Sequence, residues 1–287
     1  MRTTTFEWLK GQGTENDFVL LPDPDGSVHG ELSTRLVRAL CHRRRGIGAD
    51  GVLRAVRTTA YADADPWAAR LAEDADWFMD YRNADGSIGE MCGNGIRVFA
   101  RLLVETGDAD PARPLAIGTR AGLKTVRFGT DGLITADMGP GELTGDVEIA
   151  VGDRSWKASR ISMGNPHAVV MVDDLADAGP LLESPRYSSQ DFPDGVNVEF
   201  VREVGARHVA MRVFERGSGE TRSCGTGACA AALAAAVVEG GGRPQLWRVD
   251  VPGGSLYVHW LDDGSLELAG PAVLGVRGRL ETRWLGI

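Results

Sequence analysis

Two cysteines stand in matching settings. "EMCGNGIRVFARLLVE" begins at Glu90 and "RSCGTGACAAALAAAVVE" at Arg222, so Cys92 and Cys224 lie 132 positions apart. Each is followed by glycine, a small polar residue, glycine and a helix-forming run. Gly93 and Gly95, like Gly225 and Gly227, permit a tight turn that leaves backbone N–H groups open. The first N–H groups of a helix have no intrahelical acceptor, and with the helix dipole they form an anion site. Asn94 and Thr226 are of the residue types that cap helices, so each helix is expected to be capped two positions after its cysteine. A thiol just ahead of such a terminus is expected to be drawn down from a pKa of about 8.5 toward thiolate at neutral pH. Each loop offers an anion cradle and an ionisable sulfur.

Two such loops turned toward one another would hold a carboxylate between helix N-termini and set a sulfur on each side of the neighbouring carbon. One thiolate then removes the α-proton, and the opposite thiol delivers a proton to the other face, inverting the centre. Carbanion charge spreads into the carboxylate, where each well-placed N–H donor is worth about 3–4 kcal/mol. The two thiols need opposite protonation states and titrate as a coupled pair. A single cysteine in a glycine-rich turn is ordinarily a small packing residue. Here the match extends beyond the loops, because Asn83 lies nine residues before Cys92 and Glu215 nine before Cys224. Cys41 falls in an amphipathic run and Cys229 in an apolar one, which makes both buried, inert thiols.

The elements that must carry these loops are mostly strands. "GLITADM" alternates and stops at "GPGE", "RHVAMRVFE" is a short strand, and "LWRVDVPGGSLYVHWLDDGSLELAG" reads as three strands joined at "PGG" and "DDG". Helices are fewer: "STRLVRALCHRR", with Ser33 as cap, "PWAARLAEDA", and the two that follow the cysteines. The first of those two sets Ile96, Phe99, Ala100 and Leu103 on one apolar face, with Arg97 and Arg101 off it. The second, Ala228 to Val238, has no polar face and is expected to be buried. "GTENDFVLL" has a loose partner in "GNPHAVVMV". The pattern is an α/β half present twice, strands around a central helix, with the crossover near "GTRAGLKTV" and the residues after "LAGPAV" returning to the first half.

The chain has 287 residues, enough for about two domains, with 43% hydrophobic and 25% charged residues. A net charge of −9 argues against nucleic-acid binding, and the arginines of "CHRRRGIGADG" read as a solvated helix end. No signal-peptide core and no spanning apolar run is present, so a cytoplasmic protein away from membranes is expected. Four cysteines do not make a disulfide framework, and no cysteine or histidine spacing suits zinc.

"GTENDF", "GIGADG", "YRNADGS", "MCGNGIR", "GNPHAVV", "GVNVEF" and "ERGSGETRSCGTGA" occur in this order. Together they make the sequence resemble the diaminopimelate epimerases, cofactor-independent isomerases that interconvert LL- and meso-diaminopimelate. The resemblance covers nearly the whole chain. It implies an α/β (α+β) fold of two pseudo-symmetric domains, each a curled, mostly antiparallel sheet around a central helix, with the active site in the interdomain cleft. Residues 1–124 with 270–287 would form the half carrying Cys92, and residues 125–269 the half carrying Cys224. Cys92 and Cys224 match the acid–base cysteines. Gly93, Asn94, Gly225 and Thr226 match loops that bind the α-carboxylate. Asn83, Asn165, Asn197 and Arg216 match residues holding the distal carboxylate and amine. His167 and Glu215 match a polar pair beside the reacting centre, Glu215 also touching the amino groups, and Asn16 lies in a substrate-contacting motif. A small-molecule substrate, no cofactor, no metal and a homodimer are the further implications.

The sequence departs from the family pattern at three places. Glu15 stands where glycine usually precedes "NDF", Gln12 where histidine is common, and Gly51 where some members carry glutamine, so a polar contact there is missing or supplied elsewhere. Proline and hydroxyproline racemases share the two-cysteine logic but do not need a second amino-carboxylate recognised. A pyridoxal-phosphate racemase needs a Schiff-base lysine, and Lys10, Lys124 and Lys157 lie in no phosphate-cradling context. A dithiol redox sensor would need the cysteines but not the Asn/Arg set.

Overall fold

The structure is a computed structural model, and residues 5–286 are described. The chain divides into two compact units. One runs to Ala136 and resumes at Pro271; the other is Asp137–Gly270. The first contains β1 (Thr5–Gly13), β2 (Asn16–Pro22), α1 (Thr34–Cys41), β3 (Gly51–Arg57), α2 (Thr58–Tyr61), α3 (Pro66–Leu71), β4 (Trp77–Asn83), α4 (Gly93–Glu105), β5 (Leu115–Thr119) and β6 (Gly122–Phe128). The chain leaves it along β7 (Ile134–Pro140). The second unit contains β8 (Glu142–Val151), β9 (Arg154–Ser162), β10 (Pro166–Met171), β11 (Asn197–Gly205), β12 (His208–Glu215), β13 (Gly219–Thr221), α5 (Gly225–Glu239), β14 (Gln245–Val251), β15 (Gly254–Trp260) and β16 (Ser265–Gly270). β17 (Val273–Glu281) belongs to the first unit again and pairs antiparallel with β1, Phe6 opposite Leu280. The three strands read between residues 245 and 270 are thus found as the pattern predicts.

Both units mix antiparallel pairings with parallel ones, β2–β3 and β4–β5 in the first, β10–β11 and β12–β14 in the second. In the first, β2 runs parallel to β3 with Phe18 opposite Gly51, and β3 antiparallel to β4 with Gly51 opposite Asn83. In the second, β10 runs parallel to β11 with His167 opposite Asn197. β11 runs antiparallel to β12 with Val198 opposite Phe214, which sets Asn197 level with Glu215. A parallel step buries both faces of its strands, and "VLL" of β2 shows it, with Val19, Leu20 and Leu21 all fully buried. Val19 and Leu21 pack with Val37 and Leu40 of α1. Leu20 lies on the α4 side, near Gly11 and Val98.

The helices that follow the cysteines are the central ones. α4 packs on β1, β2, β3, β6 and β17, and α5 on β9, β10, β11, β12, β14, β15 and β16. α5 is buried from Ala228 to Ala236, as an all-apolar helix should be, but its last turn emerges, with Val238 72% exposed, before Gly240 ends it in the left-handed conformation. α4 corrects the amphipathic reading. Arg97, placed off the apolar face, is fully buried. Surrounded by strands, the helix has no wet face at that turn, and the guanidinium donates locally to Gly93 O and the Asn94 side chain. Ser33 caps α1 as expected, accepting from the Leu36 N–H.

Candidate active site

Each cysteine is itself the N-cap of its helix. Cys92 precedes α4 with φ −139 and ψ 121, and its sulfur accepts from the Gly95 N–H at 3.4 Å. Cys224 precedes α5 with φ −123 and ψ 118, and its sulfur accepts from the Gly227 N–H at 3.4 Å. The expected caps, Asn94 and Thr226, lie instead inside the first turn. Each thiol takes the N3 donor of a helix that begins two residues earlier than residue type suggests. The correction brings each sulfur onto the helix N-terminus itself.

In the first unit the thiol of Cys92 donates to Asn16 Oδ1 at 3.6 Å, and Asn94 Nδ2 donates to the same oxygen at 3.3 Å. Asn94 Oδ1 accepts from Arg97 at 2.9 Å. Asn16 is held from behind by Asp50, whose Oδ2 accepts from Asn16 Nδ2 at 2.9 Å. Asn83, at the end of β4, accepts from the Tyr81 hydroxyl at 2.7 Å and donates to Ser87 Oγ at 2.9 Å. The departures now have physical readings. Glu15 has φ 63, a left-handed conformation that explains a usual glycine there. A Cβ on Gly51 would stand 2.7 Å from Arg82 O and 2.9 Å from Tyr81 Cε2. A side chain at 51 has no room because Tyr81 fills the space, and it is Tyr81 that brings a hydroxyl to Asn83.

In the second unit a hydrogen-bonded chain leads away from Cys224. Its sulfur lies 3.6 Å from Thr226 Oγ1, which accepts from Asn165 Nδ2 at 3.4 Å. Asn165 Oδ1 is 3.1 Å from His167 Nε2, and His167 Nδ1 is 2.7 Å from Glu199 Oε1. His167 and Glu199 are both fully buried. Asn197 Nδ2 donates to Pro166 O at 3.3 Å, and its Oδ1 accepts from the Arg216 N–H at 2.9 Å. The Arg216 guanidinium donates to Asp194 O at 3.2 Å, and Glu215 accepts from the Thr221 hydroxyl. Asn165, His167, Thr226 and Cys224 thus form one network, while Asn197, Glu215 and Arg216 line the adjoining strand ends.

The thiol chemistry also needs a correction. Burial pushes the Cys224 thiol well above the ordinary range, and Glu215 and Glu199 push it further; the hydrogen bonds from Thr226 and Gly227 pull the other way and lose. A helix N-terminus alone would favour thiolate, but desolvation and two carboxylates outweigh it. Cys224 rests as a thiol. Cys41 behaves as read, its thiol raised to about 12 by burial first.

Asp50, Tyr81 and Glu199 were not singled out from the sequence. Asp50 and Glu199 sit inside "GIGADG" and "GVNVEF", so the motifs mark them. Nothing in their residue types separates them from surface carboxylates, and only the folded register brings them to the site.

Solved structures with this fold include a PhzF-family phenazine biosynthesis protein from Bacillus anthracis, TM-score 0.71 at 17% identity over 98% of this chain and 99% of that one. A hydroxyproline epimerase from Agrobacterium vitis, with trans-4-hydroxy-L-proline bound, aligns with TM-score 0.70 at 17% identity over 98% and 92%. A duplicated α/β half with a cysteine-capped central helix therefore places the molecule in the epimerase and PhzF fold group. The sequence narrows this. The family described as diaminopimelate epimerase matches residues 8–144 and 159–275. Diaminopimelate epimerases of Streptomyces coelicolor and Thermobifida fusca are 51% and 49% identical, over 99% and 94% of this chain and 98% and 96% of theirs. The chain belongs to the diaminopimelate epimerase family, and it is an isomerase. Among the described residues, no helix is long and apolar enough to cross a membrane.

Proposed function

We propose that the protein interconverts LL- and meso-diaminopimelate without a cofactor, using Cys92 and Cys224 as two bases on one α-carbon. The observation that carries this is the capping itself: in each unit a cysteine sulfur is fixed at the N-terminus of a buried helix, with an amide-bearing side chain close by. The thiolate that takes the α-proton becomes a thiol, and the thiol that reprotonates the opposite face becomes a thiolate, so charge is conserved through each turnover. One cysteine serves as the base and the other as the acid, and the roles exchange in the reverse reaction. The backbone around Gly93, Asn94, Gly225 and Thr226 holds the α-carboxylate and takes up carbanion charge. Asn16, Asn83, Asn165, Asn197, Glu215 and Arg216 hold the distal carboxylate and the amines, which suits an open-chain diamino diacid better than a cyclic imino acid.

The test is α-deuterium incorporation from D₂O into LL-diaminopimelate with no pyridoxal phosphate added. Incorporation with epimerisation is expected, and none with free proline. Cys92→Ala and Cys224→Ala should each abolish epimerisation, by at least about 10³-fold, while keeping the native circular dichroism spectrum. Epimerisation retained in either variant overturns the scheme. Bridging of the two cysteines by 1,3-dibromoacetone, blocked by substrate, checks that both sulfurs serve one site.

A further inference from the structure

The duplicated strands set residues of one unit against counterparts in the other, and one pair breaks the match. Register puts Phe18 in the place of His167, Gly51 in that of Asn197, and Leu53, two residues along β3, in that of Glu199, two along β11. Under the first turn of α4, a Cβ on Gly95 would stand 3.4 Å from Leu53 Cδ2 and 3.4 Å from Phe18 Cζ. Under the first turn of α5, a Cβ on Gly227 would stand 2.7 Å from Glu199 Oε1. An apolar pair backs the Cys92 loop, and a hydrogen-bonded titratable pair backs the Cys224 loop. Burying a carboxylate there is costly, and Leu53 shows that packing alone is met by an aliphatic residue. Glu199 Oε2 is buried with no hydrogen-bond partner among the described residues, so the carboxylate is not fully used even as a structural group.

We propose that Glu199 is the positioning residue of the Cys224 half. It fixes the ring of His167 through Nδ1, the ring fixes Asn165 through Nε2, and Asn165 and Thr226 set the Cys224 sulfur for proton transfer. The inference rests on the two-cysteine reading above. Glu199 touches neither sulfur nor substrate in this scheme; it reaches the sulfur through four successive hydrogen bonds, and the first of them, at 2.7 Å, is the shortest. In the other unit the sulfur meets Asn16 directly, with Asp50 behind it.

Glu199→Leu copies the residue that the other half carries at this place. Because it leaves the buried His167 Nδ1 without its 2.7 Å partner, it is expected to lower the melting temperature while the fold is kept. kcat should fall about 10- to 100-fold, with KM within about threefold, because the sulfur is misplaced and not the binding groups. Glu199→Gln, which can still accept from Nδ1, should restore most of kcat. In the unaltered protein, proton NMR should show a low-field signal for the His167 Nδ1–Glu199 bond, kept in Glu199→Gln and lost in Glu199→Leu. Unchanged kcat in Glu199→Leu overturns the proposal, as does absence of the low-field proton in the unaltered protein. If neither variant folds, the carboxylate is structural and the proposal fails. These readouts differ from those that decide the two-cysteine reading, since the NMR signal requires no turnover and the cysteine variants do not touch Glu199.

Discussion

At the scale of single residues, the two glycines at N3 of the central helices separate close packing from its absence. A Cβ at Gly227 would press on Glu199 Oε1 at 2.7 Å and on the Cys224 sulfur at 3.3 Å. Gly227→Ala is therefore expected to destabilise by about 1–3 kcal/mol and to cost about two orders of magnitude in kcat. At Gly95 the nearest atom is Cys92 Cβ at 3.2 Å, and the other two are carbons of Leu53 and Phe18 at 3.4 Å. Gly95→Ala should be the milder change in both measurements, chemical denaturation and steady-state kinetics. Tyr81→Phe removes only the hydroxyl that Asn83 accepts at 2.7 Å. A neutral hydrogen bond worth about 0.5–1.5 kcal/mol predicts KM for diaminopimelate raised about 2- to 12-fold with kcat unchanged. A kcat effect without a KM effect would remove Asn83 from the binding set.

At the scale of elements, the strands that end at the site are tied by a buried ionic cluster. Asp80 of β4 is fully buried, with Arg54 of the paired β3 at 3.1 Å, Arg82 at 3.0 Å and Arg120 at 2.8 Å; Arg120 also reaches Asp65 at 2.7 Å. Burial pushes the Asp80 carboxyl up, but Arg120, Arg82 and Arg54 outweigh it and hold it below the usual carboxylate range. Asp80→Asn leaves those guanidinium groups under-compensated in the interior and should cost about 3–5 kcal/mol by urea denaturation. A loss under about 1 kcal/mol would mean that water reaches the cluster.

At the scale of the molecule, acid sensitivity should begin in the unit that carries Cys92. His29 is lowered from its ordinary value by burial first, with Arg54 adding to the effect and Asp23 opposing it. A histidine whose folded value is depressed contributes stability that is complete above its unfolded pKa of about 6.5 and declines as pH falls through the folded value. Asp80, also depressed, follows the same sign from about 3.9 downward. The expected calorimetric result is a melting temperature that begins to drop below about pH 6.5, with a second decline below about pH 4. His29→Leu should remove the first decline and leave the second. A flat profile between pH 7 and 5 in the unaltered protein would show that His29 is hydrated on folding.

Much of the fold was legible in the sequence, because its signals are local. Alternation announced the strands from 245 to 270, the all-apolar run announced a buried α5, and Ser33 announced the start of α1. The paired Cys-Gly-polar-Gly loops and their equal offsets to Asn83 and Glu215 followed from spacing alone. What the sequence could not decide depends on neighbours distant in the chain. Arg97 looks solvated by helical period and is buried because strands enclose α4 on every side. Asn94 and Thr226 look like caps, yet the cysteines cap, each sulfur accepting from the N–H three residues on. Cys224 looks like a thiolate by its helix terminus and is a thiol because β11 and β12 bring Glu199 and Glu215 beside it in a desolvated place. Residue type and period determined the elements and named the two sulfurs; only tertiary structure, which sets burial and brings charge from other strands, determined the state in which Cys224 rests.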